Sequence, residues 1–177
     1  NIDEFFKVFL NEPEGFCWEN VALTEEGRDT FEGRLVNPGH SLEGLWFIMF
    51  TANKRGLKNL VDQAAKAILK TLEYGWDKVH GGIFYFLDSK GKPPQQLEWD
   101  QKLWWVHLEA LVAVALAFKY TGDAQFAEWY FKLHEWAWKR FPDPPHGEWF
   151  GYLNREGKPL LELKVNSNSN QQVRTTH

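Results

Sequence analysis

The stretch HGGIFYFLDSKGKP, residues 80–93, decides the fold because a similar stretch occurs a second time in the chain. The stretch HGEWFGYLNREGKP, residues 146–159, follows the same pattern, shifted by 66 residues without a gap. The same shift places Glu43 on Glu109 and Gly56 on Gly122. A repeat of this period is typical of proteins built from stacked supersecondary units. The chain therefore contains about two and a half copies of one unit.

Each unit is predicted to be a short β-hairpin followed by two helices. Alternating apolar residues indicate an aromatic hairpin that turns at residues 88–91. Helices are predicted over 100–120 and on to about Arg140, with a matching pair over 41–53 and 57–73. Gly122 suits the end of one helix, Asp123 caps the next, and Pro142 lies where that helix stops. The apolar residues at helical spacing in the 100–120 helix are Leu103, Trp104, Leu108, Leu111, Val112, Ala115 and Phe118.

Repeated helix hairpins indicate an all-α fold, because one hairpin cannot bury its apolar face alone and must stack on a neighbour. The result is a solenoid or a closed α/α ring. In a ring, the first helix of each pair lines the interior and the loops of one rim meet over a central pit. Two and a half units do not close a ring, so we expect the chain to be part of a larger toroid.

Composition excludes several function classes. The net charge is −4 with no basic stripe, which argues against a nucleic-acid partner. No run of 18 apolar residues and no signal-peptide pattern occurs, so we expect no membrane segment. The single Cys17 fits a reducing cytoplasm, and six scattered histidines without a C-x-x-C pair predict no metal site. Ten tryptophans and fourteen phenylalanines fit either a large aromatic core or a sugar-binding cleft.

Three segments resemble motifs of one enzyme family. They are NPGHSLEGLWF at 37–47, KLWWVHLEA at 102–110 and DPPHGEWFGYLNREG at 143–157. They are similar to the N-P-G-H-x-x-E-x-x-W, K-L-W-W-x-x-x-E-A and D-P-x-x-G-E-W-F-G-Y-L-x-R-x-G motifs of the N-acylglucosamine 2-epimerase (renin-binding protein) family. With the intervening helices, the resemblance covers nearly everything from residue 1 to about 164.

The resemblance implies an (α/α)6 barrel that interconverts N-acetylglucosamine and N-acetylmannosamine, without a cofactor but with ATP as a possible effector. It also implies a homo-oligomer. The family barrel needs roughly twice this length, and the family's substrate-binding arginine and late F-H-x-P-R segment have no match here. We therefore expect a C-terminal-half fragment, inactive alone, with a partial toroid domain over 1–164. Residues 165–177 are polar and low in complexity, and are predicted to be a disordered or non-native tail.

Epimerisation removes the proton at C2 of the open-chain sugar and returns one to the opposite face. Two positioned groups are the natural solution, and histidine suits this role because its pKa lies near working pH. His40 matches the family's catalytic histidine and is the first candidate. Glu43 lies one helical step along the same face. Glu109 is its repeat equivalent, and both are predicted to be catalytic residues.

Further residues are predicted to bind the sugar or to be structural. Trp105 and Trp46 are candidate substrate-binding rings, and Glu148 and Trp149 are candidates for the rim. Three other histidines are expected to be structural: His107, which points away from Glu109 on its helix, with His80 and His146 in the hairpins.

Alternative functions stay open from the sequence. Within the enzyme class, a cellobiose or mannose 2-epimerase or isomerase fits the same motifs. A glycoside hydrolase on the same toroid would use a carboxylate pair such as Glu43 and Glu109. A non-catalytic, renin-binding-like interaction module is the reading from a different class.

Overall fold

The computed structural model describes residues 5–11, 15–160 and 174–175, and this part of the chain is mostly helical. A π-helical turn covers Phe5–Phe9. The helices are α1 (Glu25–Arg28), α2 (Pro38–Lys54), α3 (Lys58–Gly75), α4 (Trp104–Thr121) and α5 (Ala124–Arg140). The two predicted helix hairpins, α2–α3 and α4–α5, are thereby confirmed.

Local chemistry sets the helix ends, as predicted for Gly122 and Asp123, whereas α2 begins three residues before its predicted start at residue 41. Pro38 opens α2, and the Asn37 side chain caps it by accepting a hydrogen bond from the His40 backbone N–H. Gly122 closes α4 in the left-handed conformation at φ 72°. Asp123 caps α5 by accepting from the backbone N–H of Gln125, 3.0 Å away. The last hairpin therefore has a tight, defined turn.

The two first helices, α2 and α4, pack side by side, while α3 packs on α2 and α5 packs on α4. The buried residues of α4 are mostly small, among them Ala110, Ala113 and Ala117. Val112 and Phe118, assigned to the apolar face from the sequence, are 41% and 45% exposed. That part of the prediction is wrong, because α4 is apolar all round and its periodicity does not single out one face.

Short strands in the segments between the helices form antiparallel pairs. The pairs are β1 (Leu10–Asn11) with β2 (Phe16–Cys17), β3 (Leu35–Val36) with β4 (Leu87–Asp88), and β5 (Lys102–Leu103) with β8 (Tyr152–Leu153). A further sheet contains β6 (Pro142–Asp143), β7 (Glu148–Phe150) and β9 (Arg174–Thr175). The predicted self-paired hairpin at 80–93 is wrong, since its Leu87–Asp88 arm pairs with the segment before α2.

The strand register repeats with the sequence. Val36 faces Leu87, and Lys102 faces Leu153, which is the same pair moved by 66 residues. This pairing also explains why α4 begins at Trp104 and not near residue 100, because Lys102–Leu103 is used as strand β5. The repeat therefore reproduces contacts between distant segments as well as local structure.

A left-handed glycine marks the same loop in three successive units. Gly15, Gly81 and Gly147 have φ of 77°, 73° and 70°. Side chains with a Cβ rarely adopt this conformation, so the position favours glycine. The first of these loops went unnoticed in the sequence comparison, and it extends the repeat back to residue 15.

A buried polar contact recurs behind each of the first two loops. In the first unit the Cys17 backbone N–H donates to Ser41 Oγ at 3.4 Å, and this hydroxyl donates to the Asn37 carbonyl. In the next, the Ile83 backbone N–H donates to His107 Nε2 at 3.0 Å. His107 Nδ1 lies 2.7 Å from the Leu103 carbonyl, as the donor in this bond.

The His107 ring is fully buried, and burial lowers its pKa to about 3 even though the Leu103 carbonyl opposes the shift. The ring is therefore neutral, with a proton on Nδ1. His107 takes the place of Ser41 in the repeat and serves the same backbone contact. The expectation that His107 is structural is confirmed.

Asp77, Lys102 and Arg155 form a charged cluster, the Asp77 cluster. Asp77 Oδ2 lies 3.3 Å from Lys102 Nζ and 3.0 Å from Arg155 Nε. Burial alone would raise the pKa of Asp77, but hydrogen bonds from Arg155 and the Val79 N–H, with the Lys102 charge, lower it to about 2. Burial lowers the pKa of Lys102 to about 8 against the attraction of Asp77. The cluster ties strand β5 to the loops at 77 and 155.

The predicted tail, 165–177, lies outside the described residues except at 174–175. There the backbone pairs with Trp149 and Phe150 of β7.

Candidate active site

His40 lies in the first turn of α2, where the Asn37 cap fixes the helix end. Its side chain is 51% exposed, in contrast to the fully buried ring of His107. An exposed imidazole can reach a ligand and exchange protons with it. His40 is therefore accessible to a ligand, unlike His107, and its catalytic role stays a prediction.

Glu19 binds the His40 ring, and sequence reasoning missed it. His40 Nδ1 lies 2.9 Å and 3.0 Å from the two carboxylate oxygens of Glu19. The backbone of Glu19 is itself held, because its N–H donates to the Leu35 carbonyl. The hydrogen bond that the His40 ring donates to Glu19 raises the pKa of His40 against the opposing effect of burial, and the charges of Glu19 and Glu43 add to the rise.

Trp105 packs against the other side of the imidazole. The two ring centroids are 5.2 Å apart and the planes are tilted by 31°. A Cβ on Gly39 would lie 2.7 Å from the indole, so glycine there makes room for the ring. Tyr85 meets Trp105 edge-on at 6.3 Å. The loop before α2, the N-terminus of α2 and the N-terminus of α4 therefore meet around His40.

Trp46 and Glu109 meet one to two turns further along the same two helices. Trp46 Nε1 donates to Glu109 Oε2 at 2.6 Å, and both side chains are partly buried. Two residues predicted to contact the sugar thus contact each other. Glu43 remains on α2, within electrostatic reach of His40.

Tyr85 is a second residue that the sequence analysis did not select. Burial raises its pKa, and the groups of Tyr152, Glu98 and Glu19 add to this effect. Its hydroxyl is therefore protonated at neutral pH and can donate a hydrogen bond. The repeat supplies a signal for both missed residues, because Glu19 and Tyr85 are themselves 66 residues apart.

Glu148 and Trp149 lie in β7. The Trp149 ring stacks on Phe141 at 5.6 Å and meets Trp138 of α5 edge-on at 4.9 Å. These contacts place the indole in the aromatic cluster beside α5. The substrate-binding role of Glu148 and Trp149 stays a prediction.

His80 and His146 lie in the loops, as expected. His80 contributes its carbonyl to the Trp136 indole N–H. His146 Nδ1 lies 3.0 Å from Asp143 three residues earlier. Both contacts stabilise loop structure.

The described part of the chain shows neither a metal-binding cluster nor a membrane-spanning helix. Among residues 5–11, 15–160 and 174–175, no group of three or more His, Cys, Asp or Glu side chains is placed to hold a metal ion. No helix in those same ranges has the length and hydropathy needed to cross a membrane.

Solved structures share this fold. The cellobiose 2-epimerase from Bacillus thermoamylovorans B4167 superposes with a TM-score of 0.71 at 20% identity, covering 90% of this chain and 39% of that one. A D-mannose isomerase superposes with a TM-score of 0.62 at 23% identity, covering 70% and 30%. The helix hairpins are thus those of sugar epimerase and isomerase structures over a part of their length.

Comparison with related sequences shows the family to which the chain belongs. Residues 2–169 match the N-acylglucosamine 2-epimerase (GlcNAc 2-epimerase) family, and the chain belongs to that family. It is 44% identical over 147 residues to N-acylglucosamine 2-epimerase of Bos taurus, and the aligned region covers 82% of this chain and 35% of that protein. The Homo sapiens enzyme is 42% identical over 147 residues, covering 82% and 34%. A D-mannose isomerase of Pseudomonas cannabina pv. alisalensis is 34% identical over 147 residues, covering 78% and 34%.

The chain spans about a third of the length of these curated relatives. Within that third, the half-exposed His40 has Glu19 as a carboxylate partner, Trp105 against its ring and Glu43 within electrostatic reach. Such a set can bind a polyhydroxy ring or chain and move one proton.

Proposed function

We propose that the whole protein is a sugar 2-epimerase that interconverts N-acetylglucosamine and N-acetylmannosamine, with His40 as one of its two acid/base groups. The observation that carries the proposal is the half-exposed His40 imidazole held between Glu19 and Trp105. The identities of 42–44% to N-acylglucosamine 2-epimerases support the choice of sugar.

The reaction needs one base at C2 of the open-chain aldose. The His40 ring nitrogen takes the C2 proton, the C–H electron pair forms the C1–C2 double bond, and the carbonyl pair moves onto O1 as an enolate. A second group then returns a proton to the opposite face of C2, and the C1 carbonyl re-forms. Trp105 offers a flat face against the sugar chain, and a protonated Tyr85 hydroxyl can donate to a developing oxyanion.

Turnover of the whole protein tests the proposal. N-acetylglucosamine is incubated in D2O, and N-acetylmannosamine formation and deuterium at C2 are measured. His40→Gln should lower kcat by about 100-fold or more, since general acid–base catalysis contributes about 10²–10⁴-fold. His146→Gln is the matched control, because His146 is also 51% exposed and also paired with a carboxylate at about the same distance. Wild-type turnover in His40→Gln would contradict the assignment.

A mannose isomerase is the second candidate, favoured by the 34% identity to D-mannose isomerase. It shares the first step, but the proton returns to C1 while the O2 hydroxyl proton passes to O1 and C2 becomes the carbonyl carbon, which converts an aldose into a ketose. Ketose formation from D-mannose, measured beside the epimerase assay, separates the two. The predicted homo-oligomer belongs to the same proposal, and light scattering on the whole protein tests it.

A further inference from the structure

The geometry of the Glu19–His40 contact differs from that of an ordinary surface ion pair. Both carboxylate oxygens lie within 3.0 Å of the same ring nitrogen, Nδ1. A carboxylate at neutral pH only accepts hydrogen bonds, so Nδ1 must be the protonated nitrogen of the ring. In the neutral ring, Nε2 is then the nitrogen with the free lone pair.

Both partners are held in place by other parts of the fold. The Glu19 backbone N–H donates to Leu35 at 3.1 Å, and its side chain is only 24% exposed. The His40 backbone is fixed by the Asn37 cap, and its ring lies against Trp105. The contact joins residues 21 positions apart, and the two backbones are ordered independently of it. The entropy cost of forming the pair is therefore small, unlike that of two free surface side chains.

We propose that Glu19 is the positioning residue of His40: by accepting a hydrogen bond from Nδ1–H it presents Nε2 as the base and sets the pH range in which the base works. The catalytic part of this inference rests on the proposed function. The charged or titratable groups near the ring are Glu19 from the preceding loop, Glu43 on its own helix, and Tyr85 from the loop at residue 85, which lies near Glu19. Only Glu19 of these has a hydrogen bond to the imidazole among the described contacts.

Three variants separate orientation from charge. Glu19→Gln keeps an acceptor oxygen for Nδ1–H but removes the charge. Glu19→Ala removes both. Glu43→Gln removes a neighbouring charge that makes no hydrogen bond to the ring, and it is the matched control for electrostatics alone.

The first readout is the tautomer and the pKa of His40, from nitrogen-15 NMR of histidine-labelled whole protein, with His40→Gln to assign the signal. We expect Nδ1–H in the wild type and in Glu19→Gln, with a lower His40 pKa in Glu19→Gln. Glu19→Ala should show more Nε2–H and a lower pKa, and Glu43→Gln should lower the pKa less than Glu19→Gln. A wild-type tautomer and pKa in Glu19→Ala would overturn the inference. This readout does not depend on which reaction the protein catalyses.

The second readout is the pH profile of turnover. Glu19→Gln should move the acidic limb of kcat to lower pH, because the pKa of the base falls, and Glu19→Ala should lower kcat about 10–100-fold with a smaller change in KM, as loss of an outer-shell partner does at other sites. An unchanged pH profile and kcat with altered NMR signals would reduce Glu19 to a structural residue and overturn the catalytic part. Failure of the proposed function is recognised separately, by wild-type turnover in His40→Gln.

Discussion

Trp46 and Glu109 are joined across helices α2 and α4, with the indole Nε1 2.6 Å from the carboxylate Oε2. The carboxylate is the repeat equivalent of Glu43, and the indole belongs to the same motif as His40. The bond satisfies a partly buried charge that would otherwise be costly beside apolar residues. It also fixes α2 against α4 just below the His40 ring.

Removing this bond should destabilise the fold. A double-mutant cycle with Trp46→Phe and Glu109→Ala should give a coupling free energy of about 1–2 kcal/mol, because hydrogen bonds to charged groups contribute about 1.5–3 kcal/mol when well protected. Urea unfolding of the four proteins measures it. A coupling near zero would mean that the bond has no energetic role.

His107 should make stability fall in mild acid. The unfolded chain binds a proton on this histidine below about 6.5. The folded chain keeps the ring neutral down to its pKa of about 3. The unfolded state therefore binds more protons between these values, and the free energy of unfolding falls as pH drops, by at most about 1.4 kcal/mol per pH unit. His107→Gln keeps an acceptor for the Ile83 N–H without titrating there, so its unfolding free energy should vary less with pH over this range. Equal slopes in the two proteins would refute this assignment.

Substitutions of Asp77 and of Lys102 should lower the free energy of unfolding by different amounts. Asp77→Asn removes the anion beside the fully buried Lys102 and should cost about 3–5 kcal/mol in urea unfolding. Lys102→Met fills the same space without a charge and leaves Asp77 paired with Arg155, so we expect a loss of under about 2 kcal/mol. Equal losses would show that burial of the charge is not the deciding factor.

Two glycines with the same backbone conformation should tolerate alanine differently. Gly81 and Gly91 have φ of 73° and 69°. A Cβ on Gly91 meets nothing within 4 Å, whereas one on Gly81 would lie 2.6 Å from Trp136 Nε1. Gly91→Ala should cost about 1–2 kcal/mol from backbone strain alone. Gly81→Ala should cost at least about 1 kcal/mol more, because the indole must move. Thermal unfolding of both variants compares them.

The repeat in the sequence was sufficient for much of the architecture. It predicts both helix hairpins, the Gly122–Asp123 turn and the equivalence of Glu43 and Glu109, because helix periodicity and turn chemistry are local properties. It did not predict which face of α4 is buried. An apolar residue such as Phe118 gives no signal of direction when every side of its helix is apolar, and only contact with α2 and α5 selects the buried face.

The candidate site was also predictable from the sequence only in part. His40 and Trp105 follow from motifs in the sequence, since each lies at a recognisable helix start. The Glu19 contact depends on the path of the loop that pairs residue 19 with Leu35, and the Trp46–Glu109 bond depends on the distance between two helices. Sequence alone therefore determined which residues on each helix are candidates for the site, while tertiary structure decided which of them touch, because side chains 21 or 63 positions apart are brought together only by packing.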